Sequence, residues 1–199
     1  GKFQEGKYTF YIYAADAAGN VTEIKDLAFD VNLNPPVLTV AVEDNSGTAV
    51  DPDTTPQINR PFKFKYTVTD TYTPTAPVVT VDKIFKNSTE LASTDYTLDT
   101  TNNVVTINAV TTETDTSPAS GVYDSDGTYY VVLKATDAFG KSVTETSKKI
   151  TIDRTKPDSP DIKNPGTAWL GSKDNFAANG TAKDNAGGSG IDKVYWAIT

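Results

Sequence analysis

The chain contains no cysteine, no histidine and no methionine, and only 2 arginines stand beside 16 lysines. Without cysteine there is no disulfide framework, no thiolate nucleophile and no zinc–thiolate site. Without histidine there is no Ser-His-Asp or Cys-His arrangement and no imidazole ligand for a metal. A sustained 3.6-residue apolar period is also missing, so long amphipathic helices are not expected. No apolar run approaches the ~20 residues of a spanning helix, so membrane insertion is not expected. The 18 basic residues are outnumbered by 26 acidic ones, giving a net charge of −8. A surface of that sign argues against nucleic acid as a partner.

What the chain does have is threonine and aromatics: 31 Thr, 10 Tyr and 8 Phe among 199 residues. That is a strand-forming bias. Residues 62–69 read F-K-F-K-Y-T-V-T. Phe62, Phe64, Tyr66 and Val68 fall on one face and Lys63, Lys65, Thr67 and Thr69 on the other, the period of a half-buried antiparallel strand. Tyr129, Val131, Leu133 and Ala135 alternate in the same way. Further strands are expected at 37–43, 79–86, 94–98, 103–110 and 142–153, with a turn at Asn102-Asn103. Short strands separated by turn signals predict an all-β sandwich whose core includes these two faces with Val105 and Ile107.

The sequence also repeats. Residues 6–20 (GKYTFYIYAADAAGN) match 127–141 (GTYYVVLKATDAFGK) at an offset of 121, and 70–86 is echoed in 184–196. The period is one domain of about 120 residues, an ordinary size. This register divides the chain into 1–34, the C-terminal strands of one domain; 35–155, a complete sandwich; and 156–199, the N-terminal strands of a further one. Pro35-Pro36 and Pro157/Pro160 mark the joints. The expectation is a stretch of a longer tandem array. Tyr8 and Tyr129, each following a Gly at a strand start, suit a tyrosine corner; the alternative is an ordinary inward-facing Tyr.

The strings A-A-D-A-A-G-N-V (14–21), A-T-D-A-F-G-K (135–141), I-T-I-D-R-T-K-P (150–157) and A-K-D-N-A-G-G-S-G-I-D-K-V-Y (182–195) resemble bacterial immunoglobulin-like tandem repeats. The resemblance covers nearly the whole chain. It implies tandem immunoglobulin-like β-sandwich domains in a secreted protein of the cell surface, cell wall or S-layer. The implied function is non-catalytic: a structural module of an S-layer or other envelope lattice. Spacer repeats of a large adhesin, or an accessory module of an extracellular hydrolase, are the alternatives. The implied partners are neighbouring domains of the same chain and identical subunits in a lattice.

Aspartate outnumbers glutamate 20 to 6. Short carboxylates gathered in loops suit Ca²⁺, a hard cation taking six to eight oxygens. In an immunoglobulin topology the B–C and F–G loops face the linker from the preceding domain. This gathers Asp153 and Asp158 with Asp184, Asn185 and Asp192 at the second joint. At the first it gathers Asp30, Asn32 and Asn34 with Asp70 and Asp137; Asp16 occupies the equivalent loop one repeat earlier. Calcium-stiffened joints are one reading of Asp16, Asp70, Asp137, Asp153, Asp158, Asp184 and Asp192. Plain hairpin and loop turns, which use the same Asp and Gly residues, are the other. Trp169, Tyr195 and Trp196 suggest a sugar-stacking platform or, alternatively, core positions, with Val194, Trp196 and Ile198 on one face.

Overall fold

The computed structural model of the protein describes residues 2–23, 25–111, 123–163, 179–186 and 188–195. In chain order the strands are β1 (Gly6–Ile12), β2 (Lys25–Val31), β3 (Val37–Asp44), β4 (Ala49–Val50), β5 (Gln57–Ile58), β6 (Phe62–Thr69), β7 (Val78–Lys86) and β8 (Thr89–Glu90). They continue with β9 (Tyr96–Asp99), β10 (Val104–Ile107), β11 (Gly127–Thr136), β12 (Ser142–Thr146), β13 (Ile150–Ile152), β14 (Asp161–Lys163) and β15 (Asn179–Thr181); one helical turn, α1 (Asn108–Thr111), follows β10.

Two sheets hold the core. One runs β4-β3-β6-β10-β9; the other runs β5-β13-β11-β7-β8, with β12 also on β11. Strands β3, β6, β10 and β9 occupy the A-B-E-D positions of an immunoglobulin sandwich, and β7, β11 and β12/β13 the C-F-G positions. The pairing within both sheets is antiparallel except for β5, which runs parallel to β13.

The alternation read along β6 and β11 decides which side faces inward. Phe62, Phe64 and Tyr66 are buried while Lys63 and Lys65 are half-exposed. On β11, Tyr129, Val131, Leu133 and Ala135 are all buried. The two faces meet across the sandwich: the Phe62 ring lies 5.7 Å from that of Tyr129 and 5.4 Å from that of Phe64, both edge-on. Ring edges set against faces suit the aromatic quadrupole. Val105 and Ile107 complete the expected core. Val68, at the far end of β6, is half-buried instead.

Two expected strands are shorter than their patterns. The run 103–110 ends as a strand at Ile107, because Asn108 turns the chain: its backbone NH donates to Asp95 O (2.8 Å) and its side-chain amide to Thr94 O (2.8 Å). The turn that follows, α1, buries Val110. The run 142–153 divides into β12 and β13. Between them Ser147 is buried, its Oγ accepting from Val131 N (3.0 Å) and donating to Lys148 O (3.0 Å). A serine hydroxyl here takes over a ladder position that a bulge vacates.

The hairpin β1–β2 and the hairpin β11–β12/β13 share one geometry at the offset of 121. Gly6 and Gly127 have φ of 153° and 147°, and Gly19 and Gly140 have φ of 90° and 83°; these are conformations that a Cβ disfavours. Tyr8 donates its hydroxyl to Gln4 O (2.9 Å) and Tyr129 to Ser125 O (2.8 Å), so the tyrosine corner forms twice. Burial raises the Tyr129 phenol pKa well above its ordinary value. Among the described residues, β1–β2 and β14–β15 form two-stranded sheets that pair with no strand of the two larger sheets.

Candidate functional site: the two linkers

The first linker, residues 32–36, follows β2 and leads into β3. Asn32 is 9% exposed. Its amide nitrogen donates to both oxygens of Asp70 (3.2 and 3.1 Å) and to Oδ2 of Asp137 (3.3 Å). Asp70 follows β6 in the B–C loop, and Asp137 follows β11 in the F–G loop. The linker therefore meets the two loops that topology places at that end of the sandwich. An amide NH₂ offers two donors and fits between two acceptor-only carboxylates. Lys141 adds a second tie, its Nζ donating to Leu33 O at 2.8 Å.

The two copies of this loop differ at one position beside the aspartate. In the first copy, Asp16 caps its own turn: Oδ1 accepts from Ala18 N (2.9 Å) and Asn20 N (2.8 Å), and Oδ2 accepts the Asn20 side-chain amide (2.7 Å). In the second copy, Asp137 Oδ1 caps the turn in the same way, accepting from Phe139 N and Lys141 N at 2.8 Å each. Lys141 now stands where Asn20 stood, and its side chain turns to Leu33. Asp137 Oδ2 is left for Asn32. Asp16 is exposed at its hairpin tip, where these bonds cap the turn. The bond from the Asn20 side chain holds its carboxyl below the ordinary carboxylate value.

The second linker, 153–160, begins at Asp153, which lies 121 residues after Asn32. Asp153 is 8% exposed. Its backbone NH donates to Ile58 O (2.9 Å), and its Oδ2 accepts from Ser189 N (2.6 Å). Oδ1 is buried without a hydrogen-bond partner. Asp184 Oδ2 accepts from Gly190 N (2.5 Å), the next amide along the same loop. Asn185 Oδ1 is buried and also has no partner. A Cβ on Gly188 would lie 2.5 Å from Asn185 Oδ1 and 2.6 Å from Asp184 Oδ2, so the loop passes close against both oxygens. Asp153, Asp184 and Asn185 thus meet around residues 188–190.

The other candidates lie apart. Asp192 is 90% exposed at its side chain and pairs with Lys193 (3.7 Å). Asp158 is exposed, its backbone NH donating to Lys183 O (3.0 Å). Asp30 pairs with Lys7 (3.2 Å). No three acidic side chains converge among the described residues. Trp169, Trp196 and Ile198 lie outside the described residues; Tyr195 and Val194 are exposed, at 86% and 59%, so Val194 takes no core position here.

A further clamp was not anticipated from the sequence. Asp126 accepts Arg154 N (2.8 Å) at Oδ1 and Thr155 N (3.1 Å) at Oδ2, with the Thr155 hydroxyl on the same Oδ2. One repeat earlier, Glu5 accepts the Asn34 side-chain amide. Positions 5 and 126, and 34 and 155, are 121 apart. An acidic residue just before the strand-opening Gly holds its own linker in both copies, and the offset alone was the available signal. Compared with known protein families and with characterised proteins, the chain matches none.

Proposed function

We propose that the chain is a non-catalytic structural module: tandem immunoglobulin-like domains of a secreted bacterial surface protein, an S-layer or similar envelope lattice, in which the linkers hold each domain at a set angle to the next. The observation that carries this reading is the Asn32 amide between Asp70 and Asp137. It ties the linker to two separate loops, and Pro35-Pro36 next to it restricts the remaining backbone freedom. A spacer works by keeping orientation, and side-chain bonds that span linker and domain serve that purpose.

Residual dipolar couplings of the chain in solution provide the test. The spacer reading expects β1–β2 and the central sandwich to share one alignment tensor, and Asn32→Ala to separate the two tensors while leaving the sandwich amide shifts in place. Independent tensors in the unaltered chain would refute rigid joints. Electron microscopy of the concentrated chain divides the finer readings. Ordered two-dimensional arrays support the lattice; dispersed particles with rigid joints favour the adhesin spacer.

A further inference from the structure

Between β4 and β6 the chain lays residues 51–58 along the outer edge of β13. Asp51 closes the first turn of this segment: its Oδ1 accepts from Asp53 N (3.1 Å), and its carbonyl accepts from Thr54 N (3.1 Å) and Thr55 N (2.7 Å). The far end is β5, which pairs with β13 only through Gln57–Thr151 and Ile58–Ile152. Thr151 N donates to Pro56 O and Asp153 N to Ile58 O, both at 2.9 Å. Ile58 is buried in the core. Lys148, just past the break at Ser147, meets the other end of the segment. Its Nζ donates to Asp51 Oδ1 (3.4 Å) and to Asp53 Oδ2, and the Asp53 bond is the largest cause of its raised pKa. Thr55, Gln57 and Ile58 also line one cleft with Asp153 and Ser189, where Asp153 Oδ2 accepts from Ser189 N (2.6 Å). Contacts therefore run from Lys148 through the segment to Asp153, the first residue of the second linker, and on to the loop 188–190.

We propose that residues 51–58 are an ion-pinned strap that sets the root of the second linker, with Lys148 as its positioning residue. The grip of Asp51 and Asp53 on Lys148 keeps the strap on β13, and the strap keeps Asp153 where the loop 188–190 meets it. A pairing two residues long is a weak edge, and such edges are among the first parts of a sandwich to open. The buried Ile58 anchors one end of the strap and leaves the other free to swing; the pin at Lys148 removes that freedom. This second anchor is made of exposed ions, since the side chains of Lys148, Asp51 and Asp53 are all more than half exposed. Exposed pairs are weak singly and are screened by salt. The strap is thus graded by ionic strength: it holds the linker root in dilute salt and opens more often in concentrated salt. The inference rests on the spacer reading for the meaning of a held linker, whereas strap opening is read within the sandwich itself.

Amide hydrogen exchange and residual dipolar couplings of the full chain test it together. Lys148→Ala should speed exchange at Thr151 and Asp153 roughly two- to fivefold, the factor that exposed ion pairs supply. The couplings of β6 and β11 should still fit one alignment tensor, while those of 53–58 and 188–190 depart from it. Sodium chloride at about 1 M should do the same to the unaltered chain and nothing further to Lys148→Ala. Lys148→Arg keeps the charge and should keep the protection. Asp53→Ala added to Lys148→Ala should change little, because the two residues act through one contact. Unchanged exchange at Thr151 and Asp153 in Lys148→Ala, or equal losses in Lys148→Arg and Lys148→Ala, would overturn the ionic pin. Faster exchange with the loop 188–190 still on the sandwich tensor would overturn the strap's hold on the linker. Either result leaves the spacer reading standing, since that reading fails on independent tensors for β1–β2 and the sandwich in the unaltered chain.

Discussion

The hairpins β1–β2 and β11–β12/β13 share turn, corner and glycine geometry, yet their apolar faces end in opposite environments. Leu133 is 0% exposed, whereas Ile12, its equivalent 121 residues earlier, is 56% exposed. Val131 is 0% exposed and Phe10 is 56% exposed. In the first hairpin the aromatics make what they can of each other: Tyr8 stacks on Phe29 at 5.7 Å and Phe3 stands edge-on to both. Turn, corner and strand register are therefore the same in the two hairpins although only one has a covered apolar face. Burial of the apolar face is a separate step that needs a second sheet, and β3, β6, β9 and β10 supply it to the central copy.

The largest expected effect comes from truncating the equivalent pair. Leu133→Ala should lower the stability of the central sandwich by about 2–5 kcal/mol, through lost transfer energy and the cavity left behind. Ile12→Ala should change that stability by less than about 0.5 kcal/mol, the usual range for a surface site. Urea melts of both variants, followed by near-ultraviolet circular dichroism, compare them. Equal losses would mean that the β1–β2 face is covered in solution.

The corner tyrosines sharpen the comparison at smaller magnitude. Tyr129→Phe leaves the carbonyl of buried Ser125 without its donor, which costs about 1–3 kcal/mol. Tyr8→Phe frees an exposed carbonyl at Gln4 that water can satisfy, and should cost less than about 0.5 kcal/mol. Thermal melts should separate the two; a Tyr8→Phe loss as large as that of Tyr129→Phe would show that the corner acts without burial.

How much of this was legible in the sequence depends on the range of the interaction involved. The face Phe62-Phe64-Tyr66 and the face Tyr129-Val131-Leu133-Ala135 follow from period two alone. The meeting of Asn32 with Asp70 and Asp137 followed from strand order, because an immunoglobulin topology sends those loops to the linker end. That the amide itself lies between the two carboxylates did not follow, since strand order places the loops but not the side-chain bonds between them. The two-residue strands β4, β5 and β8 carry no pattern long enough to read. The break at Ser147 is marked only by a change of parity, the inward side chains passing from the odd positions Val143 and Ser147 to the even positions Ile150 and Ile152, as one extra residue in a strand requires. At the second linker, composition gathered five polar residues, and the fold brings together Asp153, Asp184 and Asn185, leaving Asp158 and Asp192 outside.

The smallest expected effect concerns the turns, where the two copies differ by Asn20 against Lys141. The Asn20 side-chain bond is the largest cause of the lowered Asp16 pKa, followed by the Asn20 backbone NH. Asn20→Ala removes the first and keeps the second, so the Asp16 pKa should rise toward the ordinary carboxylate value of 3.8. The sign for stability follows from linkage: a carboxyl whose pKa is lowered on folding stabilises the fold above its unfolded pKa, and that contribution is lost as pH falls through the folded value. The unaltered turn should therefore hold its amide shifts to lower pH than the Asn20→Ala turn. Carbon-detected NMR titration of the Asp16 carboxyl between pH 2 and pH 6, a window chosen to span the ordinary carboxylate range, measures the shift directly. An unchanged midpoint would assign the lowered pKa to the backbone NH groups of Ala18, Gly19 and Asn20, which Asp137 meets at its own turn through Phe139 and Lys141. The difference between the two copies would then lie only in where the second carboxylate oxygen is sent.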